Sequence, residues 1–248
     1  MHAHPIIDAL KGHRSIRKFK PDPIPDEHIR AIVEAAQAAS TSSNIQAYTV
    51  IGVRDPERKQ ALSVLAGNQR YVAECPLMLV WCADLHRLEL VMEMHNGQLH
   101  QNTETLLLGT VDVSLAAQNA AVAAESLGYG IVYIGGIRNR PDDVAELLRL
   151  PANVYPVFGM CVGTSDQEPD LRPRLPMGAI YHEETYAEDE TLLGAIKAYD
   201  ETLQAYYAER SGGARASNWS VETASRMQAD KLRGHMKGHL NRQGFRLE

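Results

Sequence analysis

The chain has 248 residues, of which 44% are hydrophobic and 23% charged, and this composition is typical of a folded globular protein. Its formal net charge of −6 argues against a general nucleic-acid-binding protein, which presents a basic face. Three cysteines without a CxxC pair favour a reducing compartment; with no secretory signal and no apolar run near ~20 residues, we expect a soluble cytoplasmic protein without nucleic-acid or membrane partners.

In the first half of the chain, hydrophobic periodicity predicts two helices and two strands. An apolar stripe at helical spacing predicts a helix over residues 26–39, with Asp26 as its cap, and a second helix follows over 55–66. A β-branched run predicts a strand over 48–53, and continuous apolar residues predict a buried strand over 77–83.

The second half begins with a long alanine-rich helix, predicted over 111–127 with Asp112 at its start and Gly128 at its end. So apolar a helix should lie inside a domain or under another subunit. The later predicted elements are strands over 131–134 and 155–163, helices over 142–150 and 189–210, a Gly/Ser/Ala loop over 211–218, and an amphipathic helix over 222–240.

Two basic clusters have the composition of anion sites. The first is His13, Arg14, Ser15 and Arg17, whose fork-shaped and small polar donors suit a phosphate; a solvated basic loop explains the same residues equally well. The second is Arg172 and Arg174, held in a defined relation by the proline between them, although a solvated charged loop is favoured when this motif is taken alone.

Two further motifs could line a ligand. The run Ser40 to Ser43, with Asn44 and Gln46, offers hydroxyls and amides, but taken alone it is better explained as a helix-ending turn. Tyr133-Ile134-Gly135-Gly136 puts two glycines at the exit of a strand, where backbone can approach a flat or charged group, or simply turn.

The remaining polar motifs are interpreted as surface features. Arg210 and Arg215 flank the glycine loop, and we interpret them as surface charge. His235 and His239 form an HxxxH without the glutamate of a metalloprotease helix, so we interpret both as surface histidines and predict no metal site.

Taken together and in order, these motifs resemble the larger, NADPH-preferring type of oxygen-insensitive nitroreductase, a family that includes bacterial NADPH–flavin reductases. The likeness extends from about residue 9 to about residue 207, and Gln69 matches as well. Departures are small: Arg172 stands where many members carry lysine, and Thr41 where many carry serine.

The resemblance implies an α+β nitroreductase-like fold, with a central mixed or antiparallel sheet flanked by helices, in an intertwined homodimer that holds FMN at the subunit interface. It also implies a single domain over 1–248, with a core over about 5–185 and a C-terminal helical excursion over about 187–248.

The resemblance further implies roles for matching residues. His13, Arg14 and Ser15 would hold the FMN phosphate with Arg174, while Arg17 and Arg172 would lie at the pyrimidine side of the flavin. Arg210 and Arg215 would bind the extra phosphate of NADPH. The implied cofactor-binding set is His13, Arg14, Ser15, Arg17, Thr41, Ser42, Ser43, Gln46, Gln69, Tyr133, Ile134, Gly135, Gly136, Arg172 and Arg174.

The implied function is reduction of nitroaromatics, quinones or related small acceptors by NADPH through FMN, in a ping-pong scheme. No side chain need act as acid, base or nucleophile, because the flavin carries the chemistry. The alternatives are an NADPH–flavin reductase that supplies free reduced FMN, a non-catalytic flavin-binding sensor, and a helical interaction protein with incidental basic loops.

Overall fold

The computed structural model describes residues 4–247, which form two compact units. The first unit is Met1–Gln167 with Gly234–Glu248, and the second is Glu168–Arg233. The single domain predicted over 1–248 stays a prediction.

In the first unit, the helices are α1 (Pro5–Lys11), α2 (Asp26–Gln37), α3 (Pro56–Leu65), α4 (Arg70–Glu74), α5 (His86–Met94), α6 (Thr103–Ser126), α7 (Pro141–Leu148) and α10 (Met236–Arg242). The strands are β1 (Tyr48–Val53), β2 (Leu77–Asp84), β3 (Gly130–Ile134) and β4 (Val154–Gly163). The second unit contains α8 (Asp189–Glu209) and α9 (Trp219–Arg226).

The four strands form one sheet in the order β1-β2-β4-β3, and every neighbouring pair is antiparallel. Successive residues of β2 point to opposite faces, and both faces are covered: Leu79 and Trp81 belong to one hydrophobic cluster, and Met78 and Val80 to the other. The predicted α+β class is confirmed, and the sheet is antiparallel throughout.

The long helix α6 supplies much of the hydrophobic cluster that contains Leu79 and Trp81. Its buried face is mostly alanine, including Ala116, Ala117 and Ala120, so the helix axis can lie close to the sheet. Among residues 4–247, α6 is the one helix long and apolar enough to cross a membrane by those two criteria, with a hydropathy of 1.4. Its packing against the sheet is the ordinary reason for such a composition.

The predicted start of α6 is wrong, whereas its predicted end is right. The helix begins at Thr103, where Asn102 and Thr105 form a reciprocal capping box. Asp112 is therefore in the middle of the helix rather than at its start. At the other end, Gly128 adopts φ 85°, a conformation that favours glycine after a helix.

The helix predicted over 222–240 is also wrong. The chain there forms α9, a short turn at Ala229–Lys231 and then α10. Gly234 lies in the segment between α9 and α10, and glycine costs about 1 kcal/mol relative to alanine in a helix interior, which favours this break.

His239 is not on the surface as predicted; its side chain is fully buried. Its Nδ1 lies 2.9 Å from an Asp142 carboxylate oxygen, and Arg242 donates to the same carboxylate. The hydrogen bonds from Arg242, followed by the one from the His239 ring, hold the pKa of Asp142 at about 2. These groups fasten α10 to the first turn of α7.

Candidate functional site

The segment that carries His13, Arg14, Ser15 and Arg17 runs beside the start of β3. Ser15 forms a parallel bridge with Ile131, and the Ile16 amide donates to the Ile131 carbonyl at 2.8 Å. Ile16 is buried against Gly130, where an added Cβ would lie 2.4 Å from the Ile16 side chain. Because side chains alternate along an extended segment, Ser15 and Arg17 project away from the face on which Ile16 is buried.

His13 is oriented by a carboxylate 112 residues away in sequence. Its Nδ1 lies 2.5 Å from Oε1 of Glu125, in the last turn of α6, and both side chains are partly buried. A carboxylate that engages one imidazole nitrogen fixes the ring and leaves the other for a ligand. Arg14 is exposed beside it. Burial, and secondarily Glu125, raises the pKa of the Tyr133 phenol, so that group stays protonated.

The loop that carries Thr41, Ser42, Ser43 and Gln46 is strained and tied down. Ser43, Asn44 and Gln46 have φ values of 49°, 58° and 57°, in the left-handed region that side-chain-bearing residues rarely adopt. Asp112, which is buried, holds this loop. Its carboxylate accepts from the Ser42 amide at 3.1 Å and from the Ala47 amide at 3.0 Å. Sequence reasoning missed this role because it assigned Asp112 to a helix cap.

Gly135 and Gly136, which follow β3, differ in how closely other atoms pack against their backbone. A Cβ on Gly136 would lie 2.3 Å from both the Ala66 carbonyl oxygen and the Gln69 amide nitrogen, so only glycine fits there. The structure thus brings Gln69 and Gly136 together, with the Gln69 amide donating to Ala66 at 2.7 Å. At Gly135 an added Cβ would meet no atom closer than 3.7 Å. The atom at 3.7 Å belongs to the Arg138 guanidinium and lies at ordinary van der Waals distance, so the backbone is less crowded at Gly135 than at Gly136.

Sheet topology fixes which of these groups are neighbours. The basic segment lies at the start of β3 and the glycines lie at its end, a distance of about 13 Å for four residues of strand. The 41–46 loop precedes β1, which is the edge strand opposite β3. Because every neighbouring pair is antiparallel, β1 starts on the side of the sheet where β3 ends, far from the basic segment at the start of β3. One chain therefore does not bring these two segments together.

In the second unit, three of the four predicted arginines surround one ring. The guanidinium carbons of Arg172, Arg210 and Arg215 lie 5.5, 5.3 and 4.0 Å from the centre of the Tyr207 ring, which is buried. Arg172 also donates to the Tyr207 hydroxyl. Arg174 is exposed, and the turn that carries it is held by Tyr199, whose hydroxyl donates to the Pro173 carbonyl at 2.8 Å.

Tyr207 is a residue that sequence reasoning did not single out. The available signal was a pair of tyrosines at the end of an acidic helix, next to basic residues. It could not show that the side chain of the second tyrosine turns inward while cations stack on its ring.

The side chains of this site can bind and orient a ligand, but none is a poised nucleophile. Burial raises the pKa of both Cys82 and Cys161, which keeps the thiols protonated. Within residues 4–247 no group of three or more His, Cys, Asp or Glu residues could hold a metal ion. The donors at the start of β3 suit an anion, and the glycine backbone at its end, which carries no side chains, suits a flat group.

We expect that replacing Asp112 with asparagine lowers the free energy of unfolding by about 2–4 kcal/mol, because a buried carboxylate that accepts from two amides is lost and its amide replacement cannot accept from both. Urea unfolding followed by circular dichroism measures the change. Ser114→Ala, on the exposed side of the same helix, is the matched control and should change stability by about 0.5 kcal/mol or less. A stable Asp112→Asn protein would show that the loop does not depend on this carboxylate.

Comparison with known proteins finds relatives over nearly the whole chain. Residues 10–164 match the nitroreductase family, and residues 172–248 match the nitroreductase family, C-terminal domain. An FMN reductase (NADPH) of Bacillus subtilis (strain 168) is 44% identical over 96% of this chain and 97% of that protein.

Two other proteins extend the comparison. An oxygen-insensitive NADPH nitroreductase of Salmonella typhimurium is 42% identical over 97% of this chain and 98% of its own length. The solved structure of B. megaterium NfrA1 superposes with a TM-score of 0.94 at 46% identity, covering 98% of this chain and 99% of that one. The fold, the motifs and these matches agree, and the chain belongs to the nitroreductase family.

Proposed function

We propose that this protein is an NADPH-dependent FMN oxidoreductase that reduces nitroaromatics, quinones or free flavin. The observation that carries the proposal is the arrangement along β3, with side chains that suit an anion at one end and the Gly135-Gly136 backbone, without side chains, at the other. The two relatives named FMN reductase (NADPH) and oxygen-insensitive NADPH nitroreductase support both the cofactor and the coenzyme.

FMN fits the groups present. Its phosphate is a dianion, and the free nitrogen of His13, the Arg14 guanidinium and the Ser15 hydroxyl offer donors of the kind that bind phosphate. Its ring is flat, and the backbone at Gly135, where an added Cβ would meet only the Arg138 guanidinium at 3.7 Å, leaves such a group room to approach. We keep Thr41, Ser42, Ser43 and Gln46, together with Gln69, Tyr133, Ile134, Arg172 and Arg174, in the proposed cofactor-binding set on the family resemblance.

When bound, FMN supplies hydride acceptance from NADPH and electron donation to a second substrate. The protein's part is electrostatic and steric. On the family resemblance, Arg17 and Arg172 would each place positive charge where the reduced ring becomes negative, which stabilises that state. Arg210 and Arg215 would recognise the extra phosphate of NADPH. Glu125 would hold the His13 ring so that its Nε2 faces the FMN phosphate.

We also propose a homodimer in which each cofactor is completed by the partner's 41–46 loop, since one chain does not bring that loop to its own basic segment. The outer side of α6 supports this. Leu107, Val111 and Leu115 are spaced four residues apart and are 46–54% exposed, and α1 leaves Ile6 and Ile7 exposed as well.

The three cysteines are free, and we place the protein in the bacterial cytoplasm.

The proposed activity predicts that the purified protein is yellow and that NADPH bleaches its visible absorption under anaerobic conditions. Steady-state rates with NADPH and a nitrofuran should then give parallel double-reciprocal lines, the pattern of a ping-pong enzyme. Replacing the nitrofuran with free FMN measures the flavin reductase alternative in the same assay. A yellow protein that NADPH fails to bleach would instead be a flavin-binding sensor, and a colourless one that FMN does not stabilise would be neither.

Glu125→Ala should weaken FMN binding about tenfold, because the His13 ring loses the carboxylate that orients it toward the phosphate. Riboflavin, which lacks the phosphate, should bind the variant and the native protein equally. Fluorescence quenching on titration of the apoprotein gives both dissociation constants. Glu104→Ala, at the exposed start of the same helix, is the control. Equal losses for FMN and riboflavin would mean that Glu125 acts on the fold rather than on the phosphate.

Val111→Lys should convert the dimer to a monomer of 27.4 kDa and release FMN, since a charge would be buried in the interface without a partner. Val64→Lys makes the same change at a comparably exposed valine on α3 and should leave the dimer intact. Sedimentation velocity separates the two species. A Val111→Lys protein that remains dimeric and yellow would exclude this side of α6 as the interface.

A further inference from the structure

One carboxylate lies among the arginines around Tyr207. An oxygen of Glu222 is 3.2 Å from Arg215, the cation whose guanidinium lies nearest the ring, and the other oxygen is 3.7 Å from Arg226. The side chains of Arg215 and Glu222 are 38% and 26% exposed, so a ligand from solvent can reach both.

Glu222 is held in this position from several sides, unlike an ordinary surface ion pair between two flexible side chains. The Ser217 hydroxyl donates to the carboxylate at 2.7 Å. Its helix, α9, begins at Trp219, and the side chain of the preceding Asn218 caps it by accepting from the Val221 amide at 3.0 Å. Ser220 joins that first turn to Asp200 of α8 through its amide, at 2.8 Å.

The carboxylate is ionised at neutral pH. The hydrogen bond from Ser217, followed by the charges of Arg215, Arg226 and Arg172, lowers the pKa of Glu222. A carboxylate and a phosphate accept from a guanidinium in the same two-pronged geometry, so they compete for it.

We propose that Glu222 is an internal competitor for the 2′-phosphate of NADPH: it occupies Arg215 in the free protein and is displaced when the coenzyme binds. Tyr207 is the positioning residue that keeps Arg210 and Arg215 stacked and ready for the phosphate. This inference rests on the proposed use of NADPH and adds to it the residue that limits affinity. It also gives the coenzyme a reason to leave after hydride transfer, because the carboxylate returns to Arg215.

The test is Glu222→Gln, assayed with NADPH and NADH and titrated with adenosine 2′,5′-bisphosphate and with AMP in a calorimeter. The Michaelis constant for NADPH should fall about threefold to fivefold, the range that an exposed ion pair accounts for. The dissociation constant of the bisphosphate should fall in parallel, while NADH and AMP stay unchanged. Glu222→Asp, which keeps the charge, should stay near the native values.

Two controls make the result specific. Glu190→Gln removes the same charge from the exposed start of α8 and should leave every constant unchanged. In the Arg215→Gln background, Glu222→Gln should give no gain, because the competition needs its cation. Ser217→Ala, which loosens Glu222 without removing it, should give a smaller gain and serves if Glu222→Gln does not fold.

Unchanged constants in Glu222→Gln, equal gains for NADPH and NADH, or an equal gain in Glu190→Gln would overturn the proposal. A native protein that binds FMN but does not oxidise NADPH would instead contradict the proposed function. The bisphosphate titration still reports on Glu222 in that case, because it does not depend on turnover.

Discussion

The close approach of α6 to the sheet is the constraint on which the rest of the first unit depends. Alanines along its buried face let the helix axis lie near the strands, where longer side chains would hold it away. Two carboxylates on this helix can then reach outside it. Asp112 holds the backbone of the 41–46 loop, and Glu125 holds the His13 ring. They are about 20 Å apart along the helix axis, so a single rigid element positions two separate segments.

The edge strand β3 sets the direction of the proposed cofactor. Pairing of Ser15 with Ile131 fixes anion donors at its start, and the close approach of Gly136 to Ala66 fixes bare backbone at its end. An elongated molecule with an anionic tail and a flat head matches that spacing. Burial keeps the Cys82 and Cys161 thiols protonated, and in the proposed function FMN carries the reaction while the protein supplies position and charge.

The carboxylates beside the two groups of cations differ in where they point. Glu125 engages Nδ1 of His13 and so leaves Nε2 for the proposed FMN phosphate, which suits a cofactor that stays bound. Glu222 engages Arg215 itself and competes with any incoming anion, which suits a coenzyme that must leave after each turnover. In the proposed function, a carboxylate can thus help to retain one phosphate and help to release another, depending on which atom of the neighbouring side chain it engages.

The sequence by itself determined the elements whose signals are local, and the family. The strand at Tyr48–Val53 follows from its β-branched residues, the end of α6 follows from Gly128, and the ordered motifs identified the nitroreductase family. Only the tertiary structure decided the roles of Asp112, His239 and Tyr207. The Ser42 amide that Asp112 binds is 70 residues away, and the Asp142 carboxylate that holds the buried His239 ring is 97 residues away. Periodicity and spacing report on neighbours within a few turns of chain, so a partner brought close only by packing leaves no local pattern to read.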